Sequence, residues 1–284
     1  MNIDIIYRGP LSSCDYSCSY CPFAKTYDDK AAREKDKNAL ERFVAWIKGR
    51  ENKDQIRVLF TPWGEALIRK WYRNAVIELS QLPHIQKVVV QTNLSVPVDW
   101  LKAANSETVA LWTTFHPTQI ELSSFVQQSR ALEQLGIKHS VGIVGNKENI
   151  DYAQQLRADL SDDIYLWVNA YKDETDYYNQ LEIEGFAKVD PLFKLNLKDY
   201  QSLNKPCYAG ENIISVNGSG DVMRCHFIKE KLGNLYEDEI HDLLKPRNCL
   251  NQKCDCYIGY MNLKAFDARQ YYGDRILERI PITD

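Results

Sequence analysis

Short apolar runs alternate with longer amphipathic stretches over the first two-thirds of the chain, and this rhythm is what most restricts its fold. The runs IDIIY (3–7), IRVLF (56–60), KVVVQT (87–92), VALWTT (109–114), HSVGIV (139–144) and IYLWVN (164–169) are rich in β-branched and aromatic residues. They are almost continuously apolar, as strands covered on both faces are. Between them Leu40, Phe43, Val44 and Ile47 recur at helical spacing, as do Ile68, Tyr72, Ala75, Val76 and Leu79, and Leu122, Phe125, Val126 and Leu132. A strand and a helix in roughly every 30 residues imply parallel strands joined by right-handed crossovers. Six such units end near residue 186, short of the roughly 250 residues of a complete eight-stranded barrel. The sheet is therefore either an open doubly wound one or an incomplete barrel. In both, functional groups belong in loops at the C-terminal ends of the strands. Residues 187–206 read as a connection, and NIISVNGSGDVMRC (212–225) as a hairpin around an Asn-Gly-Ser-Gly turn.

The cysteines are unevenly placed. Three lie at positions 14, 18 and 21, five follow residue 206, and the 185 residues between hold none. The N-terminus MNIDIIYRGPLSSC has no basic leader followed by a long apolar run, so it is not a signal peptide. No stretch approaches the roughly 18 consecutive apolar residues of a membrane span. A cytoplasmic, reducing location is expected, where clustered cysteines serve metals or catalysis rather than disulfides. With a net charge of −4 and no Lys/Arg run, no nucleic-acid partner is expected. A structural zinc site closes with four protein ligands. Cys14, Cys18 and Cys21, in a loop directly after the first strand, supply three soft ligands and leave one position open. Either an iron–sulfur cluster with one open iron or a three-thiolate catalytic zinc satisfies that pattern.

The C-x3-C-x2-C spacing, with the aromatic Tyr20 before the third cysteine, resembles the radical S-adenosylmethionine (radical SAM) superfamily. The resemblance implies an α/β fold, a partial (β/α)6 TIM-type barrel with the motif after strand one. It also implies a [4Fe-4S] cluster on Cys14, Cys18 and Cys21 whose open iron binds S-adenosylmethionine. An electron from the cluster then yields a 5′-deoxyadenosyl radical that abstracts hydrogen from a substrate. Weaker matches follow in order. In TPWGEAL, Gly64 and Glu65 stand where the family has Gly-Gly-Glu, with Trp63 in place of the first glycine. By resemblance Glu65 and nearby backbone hold the amine of S-adenosylmethionine. Asn93 in QTN faces the site. VGIVGNKE matches a loose Gly-x-Ile-x-Gly-x-x-Glu at Ile143, Gly145 and Glu148, with Val141 in the first position, and packs on the adenine. Thr114 and His116 after strand four, Asn169 at the end of strand six and Arg8 after strand one are further candidate contacts, while Tyr171 and Lys172 read as solvated surface.

Cys207 and Cys225 frame a C-x12-G-x4-C with Gly220 at the turn, which resembles the opening of a SPASM/twitch extension. The chain then divides into a barrel, 1–190, and a small C-terminal iron–sulfur domain, 191–284. CLNQKCDC adds Cys249, Cys254 and Cys256 in place of the usual C-x2-C. Five cysteines suit one fully ligated auxiliary [4Fe-4S] cluster. Cys207, Cys225, Cys254 and Cys256 are the expected ligands, with Cys249 the spare and a zinc site the alternative. His226 either tunes that group or faces solvent. The expected function is radical modification of a peptide or protein side chain. Two-electron oxidation of a small alcohol or sugar is the alternative, and a non-catalytic zinc protein the remote one. Expected partners are the peptide or small-molecule substrate and an electron donor such as flavodoxin or ferredoxin. Because strand one begins too early for a recognition domain to precede it, a peptide is expected to need either a separate peptide-recognition protein or direct recognition by the cavity.

Overall fold

The computed structural model describes residues 1–23 and 26–282. All six expected strands form: β1 (Asn2–Arg8), β2 (Gln55–Phe60), β3 (Ile85–Thr92), β4 (Val109–Phe115), β5 (Lys138–Gly145) and β6 (Leu166–Ala170). The helices are α1 (Lys30–Lys48), α2 (Lys70–Ser80), α3 (Leu122–Gln134), α4 (Ile150–Asp159) and α5 (Gln180–Val189). Between β3 and β4 the chain makes only a 3-10 turn, Val98–Ala103. The first helix starts where Asp29 accepts the Ala32 amide, at 2.8 Å, and α5 starts at a capping box of Asn179 and Glu182.

Neighbouring strands from β1 to β6 pair in parallel. The C-terminal hairpin is β7 (Ile213–Asn217) and β8 (Asp221–Cys225), and a further strand, β9 (Ile228–Asn234), pairs antiparallel with β8. The hairpin joins the main sheet, because β7 lies parallel to β1 with Asp4 opposite Ile213 and Arg8 opposite Asn217. The nine-stranded order is β9-β8-β7-β1-β2-β3-β4-β5-β6. The sheet therefore runs on past residue 190.

Strand parity decides between the open sheet and the incomplete barrel. Residues of one parity, such as Ile3, Ile5 and Tyr7 on β1 or Val141 and Ile143 on β5, pack in one core with Leu40, Phe43, Val76, Phe125, Leu156 and Phe186 of the helices. Residues of the other parity, Leu59, Val89, Ala110, Trp112 and Trp167, pack instead with Tyr257, Tyr260, Tyr272 and Leu277. The five helices cover one face, so the sheet is an incomplete barrel, and the C-terminal segment fills its concave side. At the heart of that filling the Arg279 guanidinium lies 4.1 Å from the Trp167 ring centre, 4.3 Å from Tyr257 and 5.3 Å from Trp112. Among the described residues no helix is long and apolar enough to cross a membrane.

Candidate functional site

The cysteine loop leaves β1 at the C-terminal end of the sheet, and buried acids hold its first half. Asp36, on α1, accepts the Leu11 amide and the Tyr72 hydroxyl at 3.1 Å and the Trp71 indole N–H at 2.7 Å. Asp28 accepts the Ser13 amide at 2.9 Å, the Ser12 amide at 3.3 Å and both serine hydroxyls. Burial opposes its charge, yet the bonds from Ser13 and Ser12 keep its carboxyl below the usual range. The second loop docks against the same segment, with the Glu65 amide donating to the Ser13 carbonyl at 3.1 Å. A Cβ at Gly64 would stand 1.9 Å from that carbonyl oxygen. Glycine is needed here for close approach rather than for an unusual φ. None of Ser13, Asp28 and Asp36 stands out in the sequence, because a bracing acid has no spacing signature.

Cys14, Cys18 and Cys21 line one pocket together with Asn93, His116 and Phe23. Asn93, at the end of β3, donates from Nδ2 to Asp15 at 3.0 Å and lies 3.7 Å from the Cys14 sulfur. Its own amide is held at 2.7 Å by Glu65 Oε2, while Oε1 accepts from Leu67 and Thr92. Burial raises the Glu65 carboxyl to about 7 and these hydrogen bonds hold it from rising further. Glu65 is thus spent on tying the loops after β2 and β3 together. The Tyr20 hydroxyl lies 2.8 Å from Nδ1 of His116, whose burial pushes its pKa down to about 4. Burial likewise pushes the Cys14 thiol up to about 12, a cost that coordination to a cation removes.

Thr114 lies on the concave face of β4 opposite Gly142, and Asn169, the last residue but one of β6, has its side chain exposed. Ile143 lies elsewhere. Its side chain is wholly buried in the helix-side core, so only its backbone can face the concave side. Lys172 is not the solvated side chain its surroundings in sequence suggest: Nζ donates to the carbonyls of Asp255 at 2.8 Å and Lys198 at 3.0 Å.

Of the later cysteines, Cys207 and Cys254 ride on two-residue strand pairs, Pro206–Cys207 with Arg247–Asn248 and Tyr200–Gln201 with Lys253–Cys254, and Cys225 ends β8. Burial raises the Cys207, Cys225 and Cys254 thiols, and Cys249 raises all three further. Cys249 therefore sits among the cysteines from which the sequence reading set it apart. Cys256 also raises the Cys254 thiol, while burial, the Ile258 amide, Arg279, Asp255 and Arg8 act on its own. His226 does not face solvent. Its Nδ1 lies 2.5 Å from the Ser215 hydroxyl and its Nε2 3.2 Å from that of Thr61, and burial, with Arg8 nearby, pushes it down to about 3. Among the described residues no three His, Cys, Asp or Glu side chains converge tightly enough for a single ion. Soft thiolates in sets of three and five are the donors that iron–sulfur clusters and zinc both take.

No family model and no curated protein matches the chain. Solved structures do. A structure of anSMEcpe with bound AdoMet is 14% identical at a TM-score of 0.54, over 85% of this chain and 83% of that one. A structure of anSMEcpe with AdoMet and the Cp18Cys peptide is 15% identical at 0.54, over 86% and 83%. Streptococcus suis SuiB bound to precursor peptide SuiA is 14% identical at 0.53, over 85% of this chain and 64% of SuiB.

Proposed function

We propose, from a fold shared with radical SAM enzymes, that this protein is itself a radical SAM enzyme acting on a peptide side chain. The observation that carries the reading is the convergence of Cys14, Cys18 and Cys21 on one pocket at the C-terminal end of the strands, lined by no fourth cysteine. These thiols would hold a [4Fe-4S] cluster with one iron left for the amine and carboxylate of S-adenosylmethionine. When bound, such a cluster supplies the electron that splits the sulfonium into methionine and the 5′-deoxyadenosyl radical that takes hydrogen from the substrate. Flavodoxin or ferredoxin would deliver that electron.

The chain's own residues orient and shield. Asn93 and Asp15 fix the edge of the thiol pocket. Tyr20 and His116 brace its wall as a neutral pair. Gly64 and Glu65 bring the second loop within reach of the bound cofactor. Thr114, Asn169 and the backbone at Ile143 are the concave-side contacts for its nucleoside. Cys207, Cys225, Cys249 and Cys254, in the 191–284 part that follows the 1–190 barrel, would hold an auxiliary cluster whose role is electron transfer or structure. A peptide substrate is supported by the peptides in the anSMEcpe and SuiB structures.

Iron, sulfide and zinc would be measured in protein purified without oxygen, beside a Cys14/Cys18/Cys21→Ala variant. About eight irons falling to about four, with 5′-deoxyadenosine released from S-adenosylmethionine only by the wild type, is expected. Zinc without iron in both proteins overturns the reading.

A further inference from the structure

A groove of 520 Å³ runs outward from the mouth of the barrel, between the N-terminal half of α1 and the Asn217–Ser219 turn. Its charged lining is Arg8, Lys35 and Arg42, and no carboxylate lines it. In a chain of net charge −4, a groove with three cations and no acid is a departure from the average surface. Of the acids on the neighbouring elements, Asp36 is engaged by Leu11, Trp71 and Tyr72, Glu41 by Lys37 at 3.6 Å, and Asp221 by Lys231 at 2.6 Å and Asn217 at 3.1 Å. Among the described residues none of the three cations has an ion-pair partner within 4.0 Å.

Arg8 is the inner end of this groove and is held ready. Its Nε donates to the Thr61 carbonyl at 2.8 Å and its Nη2 to the Thr61 hydroxyl at 3.1 Å. The guanidinium lies 4.1 Å from the centre of the Trp63 ring. Among the described residues Nη1 makes no hydrogen bond. Half-buried charges are ordinarily paired, and a stacked, oriented guanidinium is the donor suited to a carboxylate. Trp63 packs in turn on Phe23, ring centres 5.0 Å apart, and Phe23 lines the thiol pocket. The Trp63–Phe23 pair thus separates the basic groove from the cysteine site, so a chain anchored in one reaches the other.

We infer that the groove receives an acidic peptide segment, one carboxylate on Arg8 and flanking ones on Lys35 and Arg42, and so presents the neighbouring residue to the barrel. This deepens the peptide-modifying reading and rests on it. Trp63, which displaces a glycine of the family pattern, then has a role as the platform under Arg8.

The test is fluorescence anisotropy of fluorescein-labelled hexaglutamate on the iron-loaded protein, with hexaglutamine, hexalysine and inorganic phosphate beside it. Hexaglutamate should bind saturably and the two control peptides should not. Binding should weaken about tenfold in Arg8→Gln and again in Lys35→Gln/Arg42→Gln, and fall with added salt. Because Lys35 and Arg42 are exposed, the double variant remains informative if the Arg8 variant fails to fold. Equal binding of hexaglutamate and hexaglutamine, indifference to the double variant, or saturable phosphate binding without hexaglutamate binding overturns the inference. Cleavage of S-adenosylmethionine by a protein that ignores hexaglutamate removes the groove alone. Hexaglutamate binding by a protein without iron removes the radical reading alone.

Discussion

A methyl group at Gly64 would meet a backbone carbonyl, that of Ser13, which cannot turn aside as a flexible side chain can. Gly64→Ala must therefore push the second loop off the cysteine loop. Overpacking of this kind costs about 1–3 kcal/mol, but the larger effect is on the site. The variant should lose about half its iron, the share of the first cysteine set, which iron analysis per chain would read. Full iron content would show that the two loops need not touch. Glu65, the next residue, gives a pH signature. Its folded pKa of about 7 lies above the ordinary 4.5, so between those values the folded chain keeps a proton that the unfolded chain releases. The stabilisation is present in full below the ordinary value and is lost as pH rises through about 7, amounting to at most about 3 kcal/mol. Urea midpoints should fall from pH 5 to pH 7.5 in the wild type, and this part of the slope should vanish in Glu65→Gln. The sequence made Gly64 and Glu65 visible as a motif. Asp28 and Asp36 do the same kind of bracing and were invisible, because what marks them is burial.

The hairpin β7–β8 shows how far an element can be read before its place is known. The Asn-Gly-Ser-Gly turn announces two strands and a reversal, and both strands form at the expected positions. That β7 would extend the barrel sheet beside β1 is a matter of which edge is open, and no local pattern carries it. Parity within strands is legible in the sequence. Ile143 shares its parity with Val141, so once the helices cover that face its side chain must point away from the site. The choice between Cys249 and Cys256 is of another kind, since a spacing of C-x4-C-x-C does not say which thiol joins Cys207, Cys225 and Cys254. The hairpin itself is testable at Gly220, where φ is +82° and an added Cβ would stand 2.2 Å from the Tyr236 ring. Gly220→Ala combines left-handed strain with a collision, at a combined cost of about 2–4 kcal/mol. Since β8 ends at Cys225, iron should be lost from the second site while S-adenosylmethionine cleavage falls less. An unchanged auxiliary iron content would mean that Cys225 is not held by this turn.

At the scale of the whole molecule, the C-terminal segment closes the concave side of the sheet that the helices leave bare. Leu277 is wholly buried, the Glu278 carbonyl accepts from the Ser140 hydroxyl at 2.9 Å, and Arg279 lies among Trp112, Trp167 and Tyr257. Arg279 is 2% exposed and has no carboxylate within ion-pair distance among the described residues. The three rings are what offset the loss of its hydration. Such a filling ties the barrel and the later cysteines into one body, because Cys207, Cys249 and Cys254 belong to the same apolar cluster as Trp112 and Trp167. Removing residues 276–284 should therefore expose both tryptophans and cost well beyond the about 1.5–3 kcal/mol of one buried leucine. Both iron sites should be lost together in the truncated chain, with raised binding of a hydrophobic dye. In the intact protein, tryptophan fluorescence and iron–sulfur absorbance should fall in a single urea transition. A Cys207→Ala/Cys249→Ala variant, whose sheet and tail are unchanged, should instead lose only the second site. A truncated chain that kept its first-site iron and unfolded at the wild-type urea concentration would show that the barrel stands without its filling.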